Sequence, residues 1–116
     1  MHLHEVKKSK FYAQLYPVTT KTEITKILQE LKRTHKKARH ICYAFYLKTD
    51  DQNFISGLSD AGEPKGVAGK NLFNLLVQHQ KINYLLVVVR YFGGVKLGYG
   101  GLFRAYLEAA KLVFEV

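Results

Sequence analysis

The chain has 116 residues, 47% of them hydrophobic and 23% charged, which fits one globular domain and excludes a disordered or fibrous chain. Its apolar runs, Ile41 to Leu47 and Tyr84 to Val89, fall far short of the roughly 20 residues that cross a bilayer, and no apolar leader opens the chain, so a cytoplasmic protein with no membrane role is expected. Eighteen Lys and Arg against nine Asp and Glu give a net charge of +9, which favours polyanionic partners, and a single cysteine, Cys42, excludes an intrachain disulfide and a multi-cysteine metal site.

Lys10 to Tyr16 reads as a first strand, ended by Pro17. Thr20 and Glu23 have capping-box spacing, and Ile24, Ile27, Leu28 and Leu31 recur at helical intervals, so an amphipathic helix is expected to about Lys36. Its end is densely basic, with Lys32, Arg33, Lys36, Lys37 and Arg39. Cations complement the helix dipole there, but five in eight residues exceed what the dipole requires, so a binding face is an equal reading. Ile41 to Leu47 reads as a buried strand and Phe54 to Leu58 as its hairpin partner across the polar turn Asp50 to Asn53. Asn71 to about Gln80 reads as a second helix. Tyr84 to Phe92 reads as a central strand and Gly101 to Phe114 as a third helix, its inner side including Phe103. The order β-α-β-β-α-β-α implies an α+β domain with helices packed on a sheet. Tyr12, Tyr16, Tyr43, Tyr46 and Phe54 alternate on strands and read as core rather than as stacking platforms for bases.

All nine glycines lie in two segments: Gly57, Gly62, Gly66 and Gly69, then Gly93, Gly94, Gly98, Gly100 and Gly101. Such clustering points to loops that need positive φ or close approach, and hence to loops that carry function. The first loop is not a phosphate-binding P-loop, because Pro64 stands where that motif needs glycine and Asn71 where it needs a hydroxyl. Phe103 likewise breaks the dinucleotide fingerprint that Gly98 and Gly100 begin. The backbone N–H groups at Gly69, Lys70 and Asn71 still open a helix, and helix N-termini accept anions. Lys65, Lys70, Lys96 and Arg104 flank the two loops, giving them either phosphate contacts or merely tight turns. Arg90, within the apolar strand, needs a partner, for which Asp60 and Glu63 are the candidates. The result would be an ion pair pinning the loops together. Asp60 and Glu63 as an acid/base pair is a weaker reading, because no nucleophile or metal-spaced histidines accompany them. His40 and Cys42 share a strand face but make an incomplete metal site, so no metal or cofactor is expected.

Three stretches together resemble the Impact / YigZ-like family in its N-terminal domain. They are Arg90-Tyr91-Phe92-Gly93-Gly94 through Lys96-Leu97-Gly98, Gly100-Gly101-Leu102 and Arg104-Ala105-Tyr106; Ser59-Asp60, Gly62-Glu63-Pro64, Gly66 and Ala68-Gly69; and Ala38-Arg39-His40 with Cys42 and Ala44. The resemblance runs from about Lys8 to Leu112. It implies a two-layer α/β sandwich like domain IV of elongation factor G and a related ribosomal-protein domain. It also implies a role in translational control, where the eukaryotic relative contacts a large activator of a kinase. Residues 1–116 are read as one such domain, without the ferredoxin-like second domain of bacterial relatives. Ala61, Val67 and Asn71 depart from the family, which often has Asp or Asn, Thr, and Pro there. The expected function is non-enzymatic binding of RNA or the ribosome through the two loops and the basic face. Two alternatives stand beside it: a protein-interaction module meeting an acidic partner, and an enzyme acting on a phosphorylated or nucleotide ligand.

Overall fold

The computed structural model describes residues 1–115; Val116, the last residue of the expected domain, lies outside them. In chain order the elements are β1 (His2–Val6), β2 (Ser9–Pro17), α1 (Lys21–Thr34), β3 (His40–Lys48), β4 (Phe54–Ser59), α2 (Gly69–Gln78), β5 (Tyr84–Tyr91) and α3 (Gly98–Lys111), with a 3-10 turn at Leu112–Phe114. The five strands form one sheet in the order β1-β2-β5-β3-β4, with every neighbouring pair antiparallel. This is the α+β class that the element order implies.

β5 is central, as its continuous apolar run requires. Its residues alternate between two cores. Leu86 and Val88 face α2 and α3 together with Phe11, Ala13, Cys42 and Ala44. Leu85, Val87 and Val89 face α1 with Phe45 and Leu47. α1 therefore covers the face opposite α2 and α3. Small residues at Ala13, Cys42 and Ala44 make room for the α2–α3 layer, which seats Leu72, Leu76, Tyr106 and Ala109 on the sheet.

The capping box on α1 is present in a shifted form. Thr20 Oγ1 accepts from the Glu23 N–H at 3.2 Å, while the Glu23 carboxylate accepts from the N–H of Thr19, one residue before the cap, at 3.2 Å. Two elements differ from expectation. β1 is absent from the sequence reading because its hairpin turns on Lys7 and Lys8, both at positive φ (47° and 69°), where Asn-Gly is the usual signal. α3 begins at Gly98 rather than Gly101, and Phe103 points outward, 38% exposed. Phe54, grouped with the core aromatics, is half exposed and stacks on Tyr46.

Candidate functional site

Arg90 sits on the α2–α3 face of β5, opposite Phe11 on β2 and His40 on β3. Its Nη1 donates to both oxygens of Glu63, at 2.9 and 2.8 Å, and both side chains are almost fully buried. The Tyr106 hydroxyl donates to the same carboxylate, and its ring packs edge-on against Phe11 at 5.1 Å. His40 completes the group, with Nε2 3.3 Å from Glu63 Oε1 and Nδ1 2.7 Å from the Ala61 carbonyl oxygen. Arg90 Nε is buried without a hydrogen-bond partner among the described residues.

Asp60 does not pair with Arg90. It turns inward, and its carboxylate accepts from the N–H groups of Gly66 (2.9 Å), Ala68 (3.0 Å) and Gly69 (2.8 Å). Partial burial works against the charge, but the three N–H donors outweigh it and hold the carboxyl below its ordinary range. The expected anion position at the start of α2 is thus taken, at Gly69, by the protein's own carboxylate. Asn71, buried in the first turn of α2, donates to the carbonyls of Val67 (3.1 Å) and Phe103 (3.3 Å) and ties α2 to α3. Ala61 has φ of 49°, in the left-handed region that Asn and Asp tolerate best.

The second glycine segment crosses the β1–β2 hairpin. Gly93 N–H donates to Ser9 Oγ at 3.0 Å, and a Cβ at Gly93 would lie 2.1 Å from the Lys8 carbonyl carbon. Gly62, Gly66, Gly94 and Gly98 have positive φ, Gly69 packs against Ser59, and Gly100 and Gly101 lie in the first turn of α3. Tyr99 joins the two loops by donating to the Lys65 carbonyl at 2.9 Å.

Between the loops lies a cleft of about 350 Å³, walled by Arg39, Phe92, Lys96 and Tyr99, with Glu63 and Arg90 at its floor. Arg39 stacks over the Phe92 ring at 4.7 Å. Arg39 and His40 also line a second hollow with Lys32, His35 and Lys36. A third, sharing His35 and Phe92, is lined by Lys8, Lys10, Tyr12 and Tyr91. Lys32, Lys36, Arg39 and Lys96 are therefore brought onto one connected surface. Arg104 lines a neighbouring hollow with His4, Lys7 and Glu108 that meets the cleft at Leu97. Arg33 is exposed and paired with Glu30 at 2.6 Å. Lys37, Lys65 and Lys70 are exposed and line none of these hollows. Sequence reasoning missed Lys8, Lys10, Tyr91 and Phe92 as surface partners. The available signal was the i, i+2 spacing of Lys8, Lys10 and Tyr12.

The buried network offers no nucleophile. Burial pushes the Cys42 thiol up to about 12, and burial, reinforced by Cys42, raises Tyr106 above its ordinary range. Its chemistry is that of a brace holding the cleft floor in place.

The Impact N-terminal domain model matches residues 7–114. The chain belongs to the Impact N-terminal domain family. The IMPACT family member YvyE of Bacillus subtilis (strain 168) is 40% identical over 105 residues, covering 89% of this chain and 48% of that protein. A crystal structure of a hypothetical protein superposes with a TM-score of 0.89 at 34% identity, over 97% of this chain and 54% of that one. The two-domain translational regulator Yih1 superposes with a TM-score of 0.65 at 25% identity, over 97% of this chain and 43% of that one. This Impact domain thus spans about half the length of the bacterial relatives it matches. Among the described residues no helix is long and apolar enough to cross a membrane.

Proposed function

We propose that this chain is a translation-associated regulatory module that binds RNA, free or within the ribosome, and catalyses no reaction. One observation carries the reading: Lys8, Lys10, Lys32, Lys36, Arg39 and Lys96 line three connected hollows interleaved with the rings of Tyr91, Phe92 and Tyr99. Cations that track a backbone, with rings on which bases stack, are the two components of single-strand recognition. The family's link to a translational regulator supports the same reading. The test is co-sedimentation with ribosomes, and binding to a single-stranded RNA, at low and high salt. Binding is expected at low salt, with a logarithmic affinity that falls by about 0.7 per phosphate contact for each logarithmic unit of salt. Absence of binding to both at low salt overturns the proposal.

A second reading, a protein-interaction module, is favoured by the outer edge of the sheet, where Phe54 and Leu58 of β4 are 50% and 47% exposed. Pull-down from a nuclease-treated extract separates the two, because a direct protein partner persists and an RNA-bridged one is lost.

A further inference from the structure

We infer that the cleft between the two glycine loops is a site for a phosphate monoester, either the terminal phosphate of an RNA strand or that of a free mononucleotide. The inference rests on the RNA-binding reading and narrows it. The first argument is charge. Arg39, Arg90 and Lys96 line the cleft with one carboxylate, Glu63, which leaves two positive charges unbalanced. A phosphate monoester is close to a dianion at neutral pH, whereas an internal phosphodiester carries one charge. The cleft therefore matches a strand end better than a strand interior.

The second argument is the state of Arg90. Glu63 places both of its oxygens on a single guanidinium nitrogen, Nη1, instead of spreading them across the fork. Nε is left buried and unpartnered among the described residues. A buried, charged donor in this state is costly unless a further acceptor approaches, and native proteins leave few such atoms. Arg90 is held by Glu63 and lies near the rings of Phe11 and Phe92, at 5.8 and 5.7 Å, so its orientation is set before any ligand arrives.

The third argument is shape. A volume of about 350 Å³ lies at the small end of ligand pockets, of a size for one nucleotide unit and not for a duplex. The half-exposed ring of Tyr99 and the more covered ring of Phe92, beneath Arg39, stand at the wall beside the cations. A nucleotide with its phosphate toward Arg39, Lys96 and Arg90 has an aromatic surface within reach of its base.

Fluorescence anisotropy with one short single-stranded RNA, prepared with a 5′-phosphate, with a 3′-phosphate and with hydroxyls at both ends, tests the proposal. Adenosine monophosphate, adenosine and inorganic phosphate are run as competitors. A phosphorylated end is expected to tighten binding by about tenfold or more, and Lys96→Glu and Arg39→Glu are expected to abolish that difference. Both positions are exposed, and a thermal melt of each variant confirms folding. Direct binding of adenosine monophosphate but not adenosine, read by isothermal titration calorimetry with no RNA bound in the anisotropy assay, supports the site as one for a free mononucleotide and overturns the RNA reading. Equal affinity for all three RNAs overturns the phosphate site and leaves the RNA reading standing. Absence of binding by any probe overturns both.

Discussion

Arg90 and Glu63 form a two-contact ion pair, at 2.9 and 2.8 Å, across a sequence separation of 27 residues, with side chains 7% and 2% exposed. The pair couples the central strand to the first glycine loop, and Tyr106 adds α3 to the same carboxylate. Removing one member strands the other as an uncompensated buried charge, which costs about 3–5 kcal/mol. Glu63→Gln is accordingly expected to lower the unfolding free energy by that amount, read as a fall in the urea midpoint at unchanged slope. The double variant Glu63→Leu/Arg90→Met, which removes both charges, is expected to be more stable than Glu63→Gln. A neutral Glu63→Gln would show that the pair does not brace the loops.

Asp60 makes a prediction about pH. Its folded carboxyl is held below the ordinary range against partial burial, by the N–H groups of Gly66, Ala68 and Gly69. A depressed acid binds fewer protons folded than unfolded, so its contribution is fully present above the unfolded value near 4 and is lost as pH falls through the folded value. Stability measured by urea denaturation from neutral pH downward should therefore decline along an acid limb. Asp60→Ala, which leaves three backbone N–H groups without their acceptor, should cost about 1–2 kcal/mol at neutral pH and flatten that limb. An unchanged limb in the variant would assign the acid sensitivity to another carboxylate.

The glycines of the second loop are alike in sequence and unlike in structure. At Gly93 a Cβ would meet backbone atoms of Lys8 and Ser9 at 2.1 to 2.4 Å, which no side-chain adjustment relieves. At Gly100 its nearest neighbour would be the flexible end of Arg104, at 3.5 Å. Gly93→Ala is expected to destabilise by more than about 2 kcal/mol and to displace the β1–β2 hairpin. Gly100→Ala, in the first turn of α3, is expected to be neutral or to stabilise by up to about 1 kcal/mol. Thermal melts of the two single variants decide the matter, and equal losses would contradict this division of roles.

That contrast also explains which parts of the molecule are legible in the sequence. The apolar run of β5, the period of α1 and the Thr20–Glu23 spacing are local patterns, and they yield the α+β class and most element positions. β1 escapes because Lys7-Lys8 adopts a turn by tertiary pairing and not by turn chemistry. A charge inside an apolar strand announces that Arg90 needs an anion, but its choice of Glu63 over Asp60 depends on how the loop folds back. Asp60 satisfies three backbone donors close by, which leaves Glu63 free to reach the strand. The basic surface is half legible. Lys32, Lys36 and Arg39 stand out as a run, while Lys8, Lys10 and Lys96 join them only through sheet register and the crossing of Gly93 over the hairpin.

The same geometry ranks the cations that the sequence places together. Lys96 and Arg39 wall the cleft, and Lys10 continues the surface beyond Phe92. Arg104 shares its hollow with Glu108, which offsets part of its field. Arg33 spends its charge on Glu30. In RNA binding measured across a salt series, Lys96→Glu, Arg39→Glu and Lys10→Glu are each expected to reduce the logarithmic salt slope by about 0.7 or more, as the loss of one phosphate contact requires. Arg104→Glu is expected to do less, and Arg33→Glu least. A uniform effect of all five reversals would indicate that net charge alone governs association, and that the three connected hollows do not form a defined site.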